Sequence, residues 1–302
     1  MTFKTLLTAT AVAAASLTPI AAAPAQPAAH AQTAPARFSV EVAGHGPDVI
    51  LIPGLATPRE VWRSAADALK AHHRVHLVQI RGFGEPAGAN AEGPVLAPFV
   101  DELAGYIRSQ GLKKPAIVGH SLGGLAALML AADHPELPGR IMVVDALPFY
   151  GVLAARPGTP ATAQSVEPMA RMLRDRLAAS YGKPMDPAAA AANAAGQALT
   201  PEARAKVAGW VAAADPRVMG QLAYDDMTTD LRERIGAIRA PVTLVYPWDE
   251  TGFTREQTDG FYRAQYAALP QTQFVGIGPS GHFVMLDRPE ETEAAIEAFL
   301  AK

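Results

Sequence analysis

The chain has 302 residues, 49% of them apolar, and a formal net charge of −3. This length and apolar content suffice for a sizeable core and predict one large domain, or one domain with an insertion. A charge so close to neutral disfavours nucleic acid as a partner. The absence of cysteine excludes thiol nucleophiles, disulfide bonds and thiolate metal ligands.

The first 31 residues have the three parts of a secretory signal peptide. Lys4 is the only charged side chain before Arg37, residues 6–17 are apolar and rich in alanine, and residues 29–31 read Ala-His-Ala, a small-x-small cleavage site. The apolar stretch is short for a membrane span, and a lipoprotein anchor would need a cysteine. We expect export to the periplasm or the medium and no stable membrane span after cleavage, with an uncleaved tether as the alternative.

Beyond the leader, short apolar runs alternate with amphipathic stretches. The runs predict buried strands at 49–52, 75–80, 116–118, 141–144, 242–246 and 274–277. Helical spacing predicts helices at 60–71, around Phe99, Leu103 and Ile107, from Ser121 to Pro135, and at 294–300. Strands interleaved with helices predict an α/β fold with a mostly parallel sheet covered on both faces, and functional groups at the carboxyl ends of its strands.

About ninety residues between the fourth and fifth strands have a different pattern. Several apolar side chains share one helical face, and Thr200-Pro201 is a typical helix start. The apolar face consists of Met169, Met172, Leu173 and Leu177. The alanine run 188–195 is a helix or a hinge. We predict an inserted helical lid, so that the chain divides into a leader at 1–31, a core at 32–145 and 236–302, and a lid at 146–235.

The third predicted strand leads into Gly119-His120-Ser121-Leu122-Gly123. A serine between a strand and a helix, with glycines two residues before and after, sits on a tight turn that only small neighbours allow. Its hydroxyl then points out of the sheet, and the Leu122 amide lies at a helix N-terminus, where it can bind an oxyanion. Ser121 is therefore the candidate nucleophile, and an ordinary serine in a glycine-rich turn is the alternative.

On these residues the chain resembles the α/β-hydrolase fold family, whose nucleophile elbow GHSLGG matches. The resemblance runs from Phe38 to the C-terminus apart from the lid, and it implies a triad in the order serine, acid, histidine. His282, in a glycine-rich loop after the sixth strand, matches the family's base. Asp249, just past the fifth strand, is the preferred acid, and Asp145, at the end of the fourth strand, is the alternative.

The same resemblance implies a second oxyanion donor in the loop after the first strand, Ile52-Pro53-Gly54-Leu55-Ala56, where proline replaces the family's histidine. The backbone amide of Leu55 is the predicted donor, with that of Ala56 next. Four aromatic side chains near strand ends are predicted to line an acyl pocket, with core packing as the alternative. They are Trp62, Phe83, Trp248 and Phe283.

The remaining histidines do not indicate a metal site. His72, His73 and His76 lie at a helix-to-strand junction without neighbouring acidic ligands, so we expect a solvated surface cluster. His120 adjoins the elbow, where we expect it only to pack. We therefore predict neither a metal nor another cofactor.

These residues predict a serine hydrolase that cleaves a small-molecule ester or related acyl compound through an acyl-enzyme. Serine at position 121 disfavours dehalogenase and epoxide-hydrolase chemistry, which in this fold uses a carboxylate. The same elbow also serves cleavage of lactones, thioesters, amides or carbon-carbon bonds, and acyl transfer. These reactions therefore stay open as alternatives. The rivals are a non-catalytic binding protein and a nucleotide binder, although the latter lacks the P-loop lysine. Nothing in the sequence indicates an oligomeric state.

Overall fold

The computed structural model describes residues 34–155, 158–251 and 253–301. The predicted leader at 1–31 therefore lies outside the described residues. Within these three ranges, no helix combines the length and the apolar character that crossing a membrane requires.

A seven-stranded sheet runs through the centre of the described chain, in the order β1-β3-β2-β4-β5-β6-β7. Its strands are β1 Phe38–Gly44, β2 Asp48–Ile52, β3 Arg74–Ile80, β4 Ala116–His120, β5 Arg140–Val144, β6 Val242–Pro247 and β7 Gln273–Ile277. Only β1 pairs antiparallel, against β3, and all the other pairs are parallel. The mostly parallel sheet is thus confirmed. The sequence did not predict β1, because this edge strand is half-exposed and lacks a continuous apolar run.

Helices cover both faces of the sheet. The helices are α1 Arg63–Leu69, α2 Leu96–Ser109, α3 Leu122–Asp133, α4 Gly151–Ala154, α5 Ala163–Ala178, α6 Pro187–Ala195, α7 Pro201–Ala213, α8 Pro216–Thr228, α9 Arg255–Gln265, α10 Val284–Asp287 and α11 Pro289–Leu300. Successive side chains of β2 point to opposite layers: Ile50 and Ile52 pack with α2 and α3, and Val49 and Leu51 pack with α1 and α11. Strand β2 has a continuous apolar run because both of its faces are buried.

Helices α4 to α8 form the helical insertion between β5 and β6. Three of them begin with a capping side chain followed by proline: Asp186 accepts from Ala188 N–H, Thr200 from Ala203 N–H and Asp215 from Arg217 N–H. The apolar face predicted for α5 is wrong in part, since Met169 and Met172 are exposed while Val166 and Ala170 are buried. The small Ala170 fits there because α5 packs closely along α8.

The sheet places its strand ends so that the loops after β4, β5, β6 and β7 lie along one edge. Adjacent parallel strands pair His120 at the end of β4 with Val144 at the end of β5. Residues 121 and 145, which follow these strands directly, are therefore neighbours at this edge.

We predict that Gly123→Ala lowers the free energy of unfolding by about 1–3 kcal/mol, a range typical of overpacking. A Cβ at this position would lie 2.5 Å from the carbonyl oxygen of Ile52 and 2.6 Å from that of Pro53, and both are backbone atoms that cannot rotate away. Urea denaturation measures the effect.

Gly105→Ala is the matched control, because Gly105 lies on the exposed face of α2 with nothing within 4 Å of an added Cβ. Alanine there should raise the free energy of unfolding by about 0.5–1 kcal/mol, since glycine is the poorer helix former. Equal stability of the two variants would show that the close approach at Gly123 does not constrain the fold.

Candidate active site

Ser121 occupies a strained turn between β4 and α3. Its φ is 53° and its ψ is −123°, a conformation that non-glycine residues rarely adopt. The turn is held by hydrogen bonds on both sides: Ser121 N–H donates to the carbonyl of Val144 at 2.9 Å, and the Ser121 carbonyl accepts from Gly124 N–H and Leu125 N–H. Strain maintained in this way is typical of functional positions.

The two glycines of the elbow allow this turn for a steric reason. A Cβ on Gly119 would collide with the backbone of Gly123 and Gly124, and one on Gly123 would collide with the strand end of β2. The start of α3 therefore lies directly against the backbone of β2 and β4, which sets Ser121 at the edge of the sheet.

His282 forms a hydrogen bond with Asp145. The two atoms, His282 Nδ1 and Asp145 Oδ2, are 2.6 Å apart. Asp145 directly follows β5, and its N–H donates to the carbonyl of Val245 at 2.8 Å. A proton on Nδ1 that is donated to the carboxylate leaves Nε2 free to accept a proton. Ser121, Asp145 and His282 all line one cavity.

The preferred assignment of Asp249 as the acid does not agree with this geometry. Asp249 accepts hydrogen bonds from Thr251, at 2.8 Å from the hydroxyl and 3.3 Å from the N–H, and it does not line the cavity. The physical reason is that β6 continues to Pro247, so Asp249 lies two residues beyond the strand end, whereas Asp145 follows β5 immediately. The alternative acid, Asp145, is therefore the partner of His282.

The second oxygen of Asp145 accepts a hydrogen bond from the Tyr262 hydroxyl of α9. Burial raises the pKa of Tyr262 well above its usual value, so the phenol keeps its proton and remains a donor. The Tyr262 ring also stacks on Tyr246, with centroids 5.2 Å apart. Sequence reasoning missed Tyr262, because an aromatic residue in an amphipathic helix gives no signal that distinguishes a carboxylate partner from a core side chain.

The predicted oxyanion donors lie beside the serine. An added Cβ on Gly54 would be only 3.0 Å from the Ser121 Cβ, so the loop after β2 touches the elbow directly. Leu55 and Ala56 line the same cavity as Ser121. Leu122 is the first residue of α3, where a backbone N–H has no acceptor within its own helix. The loop that carries Leu55 and the first turn of α3, which carries Leu122, therefore both adjoin the candidate nucleophile.

His120 supports the loop that carries His282. Its ring is fully buried, lies 4.5 Å from the His282 ring between centroids, and its Nε2 is 3.0 Å from the His282 carbonyl oxygen. Burial lowers the pKa of His120 well below its usual value. The neutral ring therefore donates from Nε2 to this carbonyl, which agrees with the expectation that His120 packs beside the elbow.

The Asp287 carboxylate joins the lid to the same loop. It accepts from Gly281 N–H at 2.9 Å, and from the N–H groups of Leu199 and Thr200 just before α7. Phe283 N–H also donates to the carbonyl of Gln197 at 3.0 Å. The lid and the loop of His282 thus form one connected unit.

The cavity has a volume of about 970 Å³, and side chains of the helical insertion form part of its wall. Of the four predicted pocket aromatics, only Phe283 lines it. Trp62 and Phe83 are buried in the core, and the Trp62 indole donates to the carbonyl of Ile52 at 3.1 Å. Trp248 lies against Gly278 outside the cavity. The prediction was wrong for these three because core and pocket aromatics have the same sequence signature.

The expectation of a solvated histidine cluster is wrong for His76. This side chain is buried, with Nδ1 2.8 Å from the Tyr106 hydroxyl and Nε2 3.0 Å from Asp48. Burial lowers the pKa of His76, so it fills the core as a neutral hydrogen-bonded ring. His72 is exposed. Across the described ranges, no three histidine, cysteine, aspartate or glutamate side chains form a group that could hold a metal ion.

We predict that Asp145→Asn lowers kcat of a hydrolysed substrate about a thousandfold or more, because asparagine no longer stabilises the protonated imidazole. Asp249→Asn should change kcat by no more than about twofold, as is usual for surface positions. Steady-state kinetics of the two charge-matched variants checks this. The reverse order would return the acid to the loop after β6.

We predict that Tyr262→Phe lowers kcat about tenfold, a loss typical of a hydrogen bond to a charged group. Without this donor, the Asp145 carboxylate is held less firmly in line with His282. Steady-state kinetics measures the loss.

Tyr266→Phe is the matched control, because the buried Tyr266 hydroxyl lies one turn further along and donates to the carbonyl of Ala146 instead. This variant should lose stability without lowering kcat. An equal loss of kcat in both variants, or in neither, would mean that Tyr262 only fills space.

Comparisons with known proteins identify the family of the chain. Residues 49–295 match the model of the alpha/beta hydrolase family. A pimeloyl-[acyl-carrier protein] methyl ester esterase of Vibrio atlanticus is 33% identical over 109 residues, which cover 36% of this chain and 40% of that protein. The matched stretch thus spans well under half of that relative.

Two solved structures have the same fold. An esterase from Exiguobacterium antarcticum superposes with a TM-score of 0.73 and 17% identity, covering 88% of this chain and 96% of that one. The enol-lactonase from Burkholderia xenovorans LB400 superposes with a TM-score of 0.70 and 18% identity, over the same shares of the two chains. At these identities the likeness establishes the architecture alone.

Proposed function

Because the chain belongs to the α/β-hydrolase family, we propose that it is a serine hydrolase that cleaves a carboxylic ester through an acyl-enzyme intermediate. The observation that carries the proposal is the 2.6 Å hydrogen bond between His282 and Asp145 in the cavity that Ser121 lines. Ser121, His282 and Asp145 then take the three roles that this chemistry requires: nucleophile, base and orienting carboxylate.

In the proposed reaction, Ser121 Oγ attacks the ester carbonyl while His282 Nε2 takes its proton. The backbone amides of Leu55 and Leu122 bind the oxyanion of the tetrahedral intermediate. His282 then protonates the leaving alcohol, and Asp145 stabilises the imidazolium meanwhile. Water repeats the sequence on the acyl-enzyme, with His282 as base, and releases the carboxylic acid and free Ser121.

The choice of an ester is supported by the relative from Vibrio atlanticus, which is named a methyl ester esterase. The large cavity leaves room for a substantial acyl or alcohol group. Lactones, thioesters and acyl acceptors other than water would meet the same serine, so they form the next substrates to try if simple esters fail.

We also propose that the protein acts outside the cytoplasm, on the basis of the leader at 1–31. Cell fractionation should find the activity in the periplasm or the medium, and N-terminal sequencing of that material should begin after residue 31. Activity confined to the cytoplasm would contradict the proposal.

We predict that Ser121→Ala lowers kcat for the hydrolysis of p-nitrophenyl esters about 10⁶-fold, because the attacking oxygen is lost. A series of increasing acyl length, measured beside the wild type, gives both the activity and the preferred chain length. A fluorophosphonate should label the wild type at Ser121 and leave the variant unlabelled, as peptide mass mapping shows. Full turnover by the variant would contradict the mechanism.

A further inference from the structure

Asp226 is a cavity residue that the proposed mechanism does not use. It lies near the end of α8 and lines the cavity together with Met219, Ala223 and Met227 of the same helix. Along the helix these four side chains are separated by four, three and one residues in turn, so one face of α8 turns toward the cavity. The carboxyl is thus set within an otherwise apolar part of the wall.

Among residues 34–155, 158–251 and 253–301, the half-buried Asp226 carboxyl forms no hydrogen bond or ion pair, and its electrostatic neighbours are His282 and Asp225. Its neighbour Asp225 differs in this respect. Asp225 accepts from Val95 N–H and Leu96 N–H at the start of α2, and from Gln221. Asp225 therefore has a structural role in the described fold, whereas Asp226 does not.

The charged groups of the described cavity wall leave Asp226 without a direct lysine or arginine partner. In the described cavity wall there is no lysine or arginine, and the other ionisable side chains are Asp145, His120, His282, Tyr150 and Tyr262. Burial, with a further contribution from Asp225, raises the pKa of Asp226 to about 7, although His282 acts in the opposite direction. A carboxylate in a largely apolar wall is costly unless a cation or donors meet it. A bound ligand can supply that cation.

We propose that Asp226 binds a protonated amine of the substrate, so that the enzyme prefers esters carrying an ammonium group at the end remote from the reacting carbonyl. The inference rests on the proposed function, since it concerns the specificity of the same cavity. Methylene groups of such a substrate would lie along Met219, Ala223 and Met227, and the ammonium would pair with the carboxylate. An anionic substrate would meet repulsion from Asp226.

The test uses three p-nitrophenyl esters of similar length: 6-aminohexanoate, heptanoate and monoadipate, which end in an ammonium, a methyl and a carboxylate group. Asp226→Asn should lower kcat/KM for the ammonium ester about tenfold or more, as expected for a charged hydrogen bond. The methyl ester should change by less than about threefold, and the carboxylate ester should improve. Asp249→Asn, which removes the same charge outside the cavity, should leave the ratios unchanged.

A binding measurement keeps the inference separate from turnover and from the folding of the variant. Calorimetry on the Ser121→Ala protein, which retains Asp226, should detect hexylammonium and find hexanol at least about tenfold weaker. Fluorophosphonate labelling of Ser121 reports the proposed function independently. Equal binding of amine and alcohol, or equal losses for all three esters in Asp226→Asn, would overturn the role of Asp226 while leaving the serine mechanism intact.

Discussion

The hydrogen bond between His282 and Asp145 is the interaction on which the site depends. It joins the loop after β7 to the end of β5, across the strand β6 that lies between them. It fixes the imidazole ring over the same sheet edge at which the strained turn holds Ser121. The parallel register of β4 and β5 makes this possible, since it brings residues 121 and 145 to adjacent strand ends. A one-residue slip would turn both side chains away.

The lid forms part of the cavity wall and is hydrogen-bonded to the loop that carries His282. Asp287 links Leu199 and Thr200 to the loop of His282, so a movement of the lid would also displace this candidate base. The same insertion supplies the wall with Asp226, which has no hydrogen bond or ion pair among the described residues. The core thus holds the candidate triad, while the insertion lines the cavity beside it. Other folds show the same division: the reacting groups occupy fixed positions on a rigid scaffold, and loops or inserted segments determine which substrate binds.

The sequence predicted those parts of the molecule that local rules determine. The buried strands, the elbow at Ser121 and the cap at Thr200 follow from apolar runs, glycine sterics and side-chain capping. The choice between Asp145 and Asp249 depends on which strand end approaches His282, a tertiary property that spacing along the chain does not contain. Tyr262 and Asp226 gave no local signal either. Their roles come only from the contacts that they make, or lack, in the folded chain.

Proton NMR of histidine-labelled protein tests the central claim most directly, because a proton shared between His282 Nδ1 and a carboxylate resonates at unusually low field. The account predicts that this signal is present in the wild type, persists in Asp249→Asn and in Ser121→Ala, and disappears in Asp145→Asn. Loss of the signal in Asp249→Asn, with retention in Asp145→Asn, would contradict the assignment of the acid and with it the proposed organisation of the site.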